Sequence, residues 1–521
     1  MKIFAILLCI TTTFLYGCFN TPPYIKGHST FSIRSQSTNG ALKYAGTHVH
    51  EYLYKKKHFH GYATFTPAFS HSMRSEQIAR AIFGSDIFNI SGSQILNRGP
   101  HDLLADYFGL SQTYQGTVEF VPRIATAQCA FNAYMGYDSW VQGLYTRIYA
   151  PFVWTKWHIH MNENVENNGI TNPFVAGYMD QSTVTPPISS FKHALDGSVT
   201  FGQMQEPLEY GKITCPRSKF GFSDVHITLG YNPYRSWRGH AGCGVFLGIP
   251  AGTHIKADYL FNPQIGNGRH WEIGAEFSGH ATLWEKDDKQ LLNFYVNFVI
   301  SHLISTRQQR SFDIKTNRNL SRYMLIKEFD ANRQYTGNLA PLINKTTLDC
   351  HVHTDIQCDI VALMSYTNNN IVCDLGYNGW IRTQERISLD ECFLDNVYGL
   401  KGIQNVIILP NTLSNVTQNS ATIYGNEFIV PTDQTAVADI FSPVLLTTAD
   451  LDLSSAATPR VITHKIFASA GYHWSERRYL NPLLHVGGEI EFEGENREKT
   501  YQEYRHTLSQ WSLWIKGGFA F

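Results

Sequence analysis

Read for alternation, the chain breaks into short segments in which every second residue is apolar. In residues 509–521 the odd positions hold Trp511, Leu513, Ile515, Gly517, Phe519 and Phe521, while the even ones hold Gln510, Ser512, Trp514, Lys516, Gly518 and Ala520. A period of two is the spacing of a β-strand with unlike faces. Residues 482–492 repeat the logic. Leu484, Val486, Gly488, Ile490 and Phe492 share one face, and His485, Gly487, Glu489, Glu491 and Glu493 share the other. Carboxylates at alternate positions cannot face hydrocarbon, so that face predicts a wet interior and the opposite face a lipid contact. In 463–474, Ile466, Ala468, Ala470, Tyr472 and Trp474 oppose Lys465, Ser469, Gly471 and His473, with Tyr472 and Trp474 placed for an aromatic girdle.

The pattern recurs mid-chain. Ile273, Ala275, Phe277, Ala281 and Leu283 oppose Glu272, Glu276, Ser278, His280 and Thr282. Ile356, Cys358, Ile360, Ala362 and Met364 oppose His351, His353, Asp355, Gln357 and Asp359. After a turn at 368–370, Ile371, Cys373, Leu375 and Tyr377 oppose Asp374, Gly376, Asn378 and Arg382. Fourteen strands are predicted, at 60–69, 118–137, 143–161, 223–231, 241–249, 269–284, 291–304, 346–367, 371–384, 400–409, 421–430, 463–474, 482–492 and 509–521. The first and the pair at 400–430 carry the weakest pattern, which leaves 12 or 16 open. Short turns (138–142, 232–240, 285–290, 368–370, 475–481) alternate with long connections (162–222, 250–268, 305–345, 385–399, 431–462, 493–507). This is the arrangement of an all-β, transmembrane, antiparallel up-and-down barrel of about 12–14 strands, with turns on one side of the membrane and loops on the other.

Residues 70–110 break the alternation. Residues 75–83 predict a short helix with Ser75 as its N-cap, and 100–108 a second with Pro100 at its first position. They read either as a folded outer loop or as a plug in the lumen. At the N-terminus, Lys2, an apolar run over 3–15 and Gly17 before Cys18 predict a signal peptide over 1–18, with Cys18 a candidate for lipidation and cleavage near 17–20 the plainer outcome. Residues 19–59 then form an N-terminal extension and 60–521 the barrel. No later segment has roughly 18 consecutive apolar residues, so no helix is expected to span a membrane.

Composition fits this picture. Charged residues are 16% of the 521, against about a quarter in ordinary domains, and Tyr and Phe number 28 and 32. A mean hydropathy of −0.22 is expected where lipid-facing and water-facing residues alternate. A net charge of −1 argues against a nucleic-acid partner. Of nine cysteines, Cys243, Cys358 and Cys373 fall on lipid-facing positions and act as small apolar residues, so disulfides are not expected there; Cys215 and Cys392 lie in loops.

Candidate chemistry is sparse. His48/His50, His58/His60, His158/His160 and His351/His353 each put two imidazoles on one strand face, and His351 and His353 with Asp355 and Asp359 are the best metal candidates. A polar lumen wall is the simpler reading, and no metal or other cofactor is expected. Gly266-Asn267-Gly268-Arg269-His270 has no serine and reads as a turn; G-x-S-x-G, P-loop and dinucleotide motifs are absent, so the chain is not expected to be an enzyme. Mixed charges are expected to line the lumen: Glu272, Glu276, Asp355, Asp359, Asp374, Arg382, Lys465, Glu489, Glu491 and Lys516, with His280, His351 and His353. They suit either a porin-like channel for passive movement of small solutes or a closed surface barrel whose outer loops bind partners.

The final strand, with Trp511, Phe519 and terminal Phe521, resembles the assembly signal of outer-membrane barrels, which implies outer-membrane lipid and the barrel assembly machinery as partners. Leu104-Ala-Asp-Tyr-Phe-Gly-Leu110, Gln142-Gly-Leu-Tyr145 with Ala150-Pro151, Asn267-Gly-Arg-His-Trp-Glu-Ile-Gly274 and Ser321-Arg-Tyr-Met-Leu325 resemble an uncharacterised family of bacterial outer-membrane barrels present as many paralogues in some host-associated bacteria. That resemblance spans most of the chain and implies no catalytic residues. Leu247-Gly-Ile-Pro-Ala-Gly252 with Gly266-Asn-Gly268 is similar, over about 30 residues, to barrels linked to uptake of aromatic or fatty hydrocarbons, many of which have an N-terminal plug.

Overall fold

A computed structural model describes residues 26–51, 59–96, 98–99, 101–286, 289–402, 419–423, 443–474, 480–493 and 508–521. The expected signal peptide with Cys18, His58, Pro100 and most of the turn at 475–481 lie outside the described residues.

Twelve strands form a closed antiparallel wall: β1 His60–Ser72, β2 Gln115–Gly136, β3 Leu144–Asn167, β4 Val225–Ser236, β5 Gly239–Ile249, β6 Glu272–Lys286, β7 Gln290–Ser311, β8 Thr347–Asn368, β9 Ile371–Arg382, β10 Val461–His473, β11 Asn481–Glu493 and β12 Gln510–Ala520. Each pairs with the next, and β12 returns to β1, with Tyr62 opposite Ala520 and Phe69 opposite Leu513. Such closure leaves no strand edge for lipid to face.

The expected pair at 400–409 and 421–430 lies mostly outside the described residues. β9 pairs directly with β10, from Ile371↔Tyr472 to Arg382↔Val461. Tyr398–Leu400 instead joins Leu325–Phe329 and Tyr335–Pro341 in a small separate sheet. The remaining twelve predicted strands are the twelve observed.

Alternation is obeyed around the ring. Ile490, Phe492, Leu513 and Ile515 point outward and are exposed, whereas Glu489 and Glu491 are buried inside. Trp140, Trp237, Trp284 and Trp474 are exposed at the short-turn end, where amphipathic rings suit an interface. Cys243 and Cys373 are exposed on the outer face, and all seven described cysteines are free thiols.

One predicted face is wrong in part. His351, His353 and Asp355 do not point inward. The register slips between Ser301↔Gln357, Leu303↔Thr354 and Thr306↔Val352, so each strand of the β7–β8 pair takes an extra residue in turn. A bulge exchanges the faces beyond it, because the side-chain period is two. Val352 and Thr354 are therefore buried, while His351 and Asp355 each keep 46% of the side chain exposed.

The long connections fold together over one mouth of the barrel around a shared apolar core. Phe108 meets Phe191 edge-on at 4.7 Å, and Phe83 stacks on Phe120 at 4.0 Å. The helix Ser75–Phe83 belongs to this cap, and residues 70–110 do not plug the lumen. Ser75 is its first helical residue rather than its cap, which is Arg74. The segment predicted at 100–108 is a single 3-10 turn, Ala105–Phe108.

The outer belt predicts a depth-dependent cost. Ile515→Lys, at the middle of β12, should destabilise the folded barrel in lipid vesicles by about 2–4 kcal/mol. Val175→Lys, on an exposed cap loop, should cost under about 0.5 kcal/mol. Denaturant titration of tryptophan fluorescence distinguishes the two; equal costs would mean that β12 does not face hydrocarbon.

Candidate functional site

Eight strands already enclose an interior that side chains can fill; twelve enclose more. The extra space is taken by residues 26–51, which descend from the capped mouth towards the short turns. At the mouth, the His28 amide donates to Ala81 O at 3.0 Å and the Ser29 amide to Ser455 O at 2.8 Å. At the other end, Tyr62 donates to Glu51 at 2.7 Å, and His50 lies 3.0 Å from His473. Between them a helical turn, α1 (Gly40–Tyr44), is capped by Asn39 and buries Ala41, Leu42 and Tyr44 completely or nearly so.

Polar groups of the wall hold this plug. Arg34 forms ion pairs with Asp359 at 2.9 Å and Glu491 at 3.3 Å. Asn39 donates to Glu489 at 2.9 Å, and Lys465 pairs with the same carboxylate at 2.9 Å. The Gly46 amide donates to Asp374 at 2.6 Å, Lys516 to Ala45 O at 2.5 Å, Asn132 to Lys43 O at 2.6 Å, and Arg382 to Ser32 at 3.0 Å. Arg147 is central. It pairs with Glu51 of the plug at 2.7 Å and with Glu276 of the wall, and it donates to the Tyr44 hydroxyl at 3.2 Å. Tyr44 passes the chain on to Asn297 at 2.6 Å, and Asn297 donates to Glu276 at 2.8 Å.

Most residues predicted to line the lumen thus converge on one segment. Glu276, Asp359, Asp374, Arg382, Lys465, Glu489, Glu491 and Lys516 all belong to the plug's seat. Glu272 is also inside, accepting from Asn267 at 2.7 Å. His280 faces inward too, stacked on Tyr295 at 5.2 Å and in contact with His240. His351, His353 and Asp355 take no part: His351 lies 3.8 Å from Asp390, and Asp355 pairs with Arg386 at 2.5 Å, both at the exposed face. The described residues do not gather the candidate metal ligands His351, His353, Asp355 and Asp359.

Arg34, Asn39, Glu51 and Arg147 went unread in the sequence. Arg147 had a signal, since Tyr145, Arg147 and Tyr149 share one face of β3, and an arginine in mid-strand must point inward. Residues 26–51 have no period to read.

On the strands of the wall, six inward carboxylates (Glu272, Glu276, Asp359, Asp374, Glu489, Glu491) accompany five inward cations (Arg147, Arg310, Arg382, Lys465, Lys516), while the plug brings Lys26, Arg34, Lys43 and Glu51. An acidic wall thus receives a segment with an excess of positive charge. Buried pairs of this kind gain little net stability over an apolar packing, but breaking one is expensive. The network therefore selects one seating of the plug. Beside it lie a cavity of about 40 Å³ next to Arg34 and Trp380 and one of about 30 Å³ next to Phe31 and Trp157. Each has room for only a few waters.

A closed ring of strands with an apolar outer belt and a charged interior is a transmembrane β-barrel. No helix among the described residues is long and apolar enough to cross a membrane. No family model matches the chain, and no curated protein does. Among solved structures it is similar to an outer-membrane channel from Pseudomonas putida F1, with 8% identity over 93% of this chain and 99% of that one, at a TM-score of 0.36. It is also similar to a FadL homologue of Pseudomonas aeruginosa (7% identity, 94% of this chain and 98% of that one, TM-score 0.29). A mutant of the TodX monoaromatic hydrocarbon channel matches at 7% identity over 96% and 99%, TM-score 0.29. At these scores the likenesses carry no functional argument, which rests instead on the chain's own geometry.

Arg147→Met should destabilise the folded barrel by about 3–5 kcal/mol, because it leaves two buried carboxylates uncompensated. Adding Glu51→Gln and Glu276→Gln should restore most of that loss. Unfolding titrations in vesicles measure both; a triple variant no more stable than the single one would remove Arg147 from the centre of the network.

Proposed function

We propose that this chain is an outer-membrane channel for small solutes whose passage is closed by its own residues 26–51, rather than an open porin. The observation that carries the reading is the plug's polar seat. Twelve strands enclose more than wall side chains can fill, but a purely structural filling could be apolar and permanent. Here a separate length of chain fills it, held by ion pairs and hydrogen bonds that exchange readily with water once the segment shifts. Passage then requires movement of the plug, and the mixed charges it uncovers would line the path. Trp511, Phe519 and Phe521 on the closing strand are the features through which the barrel assembly machinery would engage the chain.

The folded cap favours a second reading. Loops that share an apolar core present a fixed surface, which suits a closed barrel that binds partners at the cell surface.

Planar-bilayer recording separates the two. The full chain should be closed most of the time, and Arg34→Ala or Arg147→Ala should raise the frequency of stepwise openings at least tenfold. Deleting residues 26–51 should give persistent conductance. If all of these variants insert as heat-modifiable barrels and none conducts, the channel reading fails and the closed surface barrel stands.

A further inference from the structure

The loop Gly266-Asn267-Gly268 touches the plug through the Gly266 amide, which donates to Gln36 Oε1 at 3.0 Å, and its geometry serves a further purpose. Gly266 and Gly268 have φ of +80° and +79°, where a side chain is strained. A Cβ on Gly266 would also lie 2.7 Å from Asp224 Oδ1. The two glycines press Asn267 into the lumen wall at the capped end. There its amide N–H donates to Asp224 Oδ2 at 2.9 Å and its side chain to Glu272 Oε1 at 2.7 Å. One asparagine thus orients two carboxylates. His226, at the start of β4, completes a group of three whose donor atoms lie within 4.8 Å of one another, all on buried residues.

We propose that Asp224, His226 and Glu272 bind a divalent first-row transition metal. Two carboxylate oxygens and one imidazole nitrogen suit Mn²⁺, Fe²⁺, Co²⁺ or Zn²⁺; a site for Ca²⁺ or Mg²⁺ would be all oxygen. Donors about 2.1 Å from one ion stand roughly 3–4 Å apart, so the group closes on an ion with small side-chain movements. Two atoms argue for an occupant. Asp224 Oδ1 and His226 Nε2 are fully buried and have no hydrogen-bond partner, which is rare for polar atoms that nothing else satisfies. The remaining carboxylate oxygens are committed elsewhere. Asp224 Oδ2 also accepts from Ser35 of the plug at 2.7 Å, and Glu272 Oε2 from Ser301 and Gln357 at 3.3 Å each. Such contacts hold ligands in one orientation and leave the orphaned atoms to the metal. Because Ser35 comes from the plug, the ion would tie the wall to the plug near the capped mouth. Lys43 is the competing charge, acting on both His226 and Glu272.

The full-length protein, refolded in detergent with chelator and then dialysed free of it, is titrated with Co²⁺. Visible absorption reports coordination, and mass spectrometry of the metal content reports stoichiometry. One Co²⁺ per folded chain is expected, displaced by Zn²⁺. His226→Ala and the nearly isosteric Asp224→Asn should each weaken binding at least tenfold. His473→Ala, which disrupts the imidazole contacts of His50, His473 and His485 at the opposite end, should change it less than twofold, as should His351→Ala on the outer face. Heat-modifiable migration confirms that each variant is folded, and Asp224→Asn decides if His226→Ala is not. No uptake by the folded wild type, uptake that survives Asp224→Asn, or uptake lost with His473→Ala but not with Asp224→Asn overturns the proposal.

Discussion

Inside a bilayer there is no water to satisfy a backbone amide, so a strand that enters must be paired on both edges. The seam between β1 and β12 is where that requirement closes the ring, and the rest of the structure follows from it. Once twelve strands close, their outward residues must be apolar and their inward residues are free to be charged. The same closure sets an interior too wide for wall side chains to fill unaided. Residues 26–51 resolve that problem, and because the wall they meet is charged, they are held by charge. Buried ion pairs are a poor source of stability but a strict test of position. A plug seated this way has one good arrangement.

The wall was legible because alternation is a strong signal when one face meets lipid and the other meets carboxylates. Ile490 beside Glu491, or Ile515 beside Lys516, admits only one orientation. The signal fails where the chain departs from a period of two. The paired bulges in β7 and β8 reverse the faces beyond Gln357, so Asp359 was placed correctly and His351, His353 and Asp355 were not. Near residue 400, Tyr398–Leu400 pairs in a small sheet of the cap and not in the wall. The plug left no period to read. Its residues matter through single contacts, Arg34 with Asp359 and Glu491, Glu51 with Arg147, that only three-dimensional proximity reveals. Residues 70–110, which break the alternation and so offer themselves as a plug, contribute the helix Ser75–Phe83 to the roof of the mouth instead.

The candidate site is thus not a pocket but an interface between one chain segment and the wall that encloses it. The inward charges recognised in the sequence are its wall half, and the unperiodic segment is its other half. A folded cap above and a polar plug within give the barrel two barriers in series. The cap has an apolar core, which Phe31 and Ile33 of the plug join, and the rest of the plug adds a charged seat.

Amide hydrogen exchange followed by mass spectrometry tests the central claim, that residues 26–51 occupy the lumen of the folded barrel. Within α1 the Lys43 amide bonds to Asn39 O at 3.1 Å and the Ala45 amide to Ala41 O at 3.1 Å, but so short a turn has no protection of its own in water. Seated in the lumen, peptides covering 40–45 should exchange at least about a thousandfold more slowly than the free peptide, on the scale of the wall strands. Exchange at the free-peptide rate, in a barrel whose strands remain protected, would contradict the account.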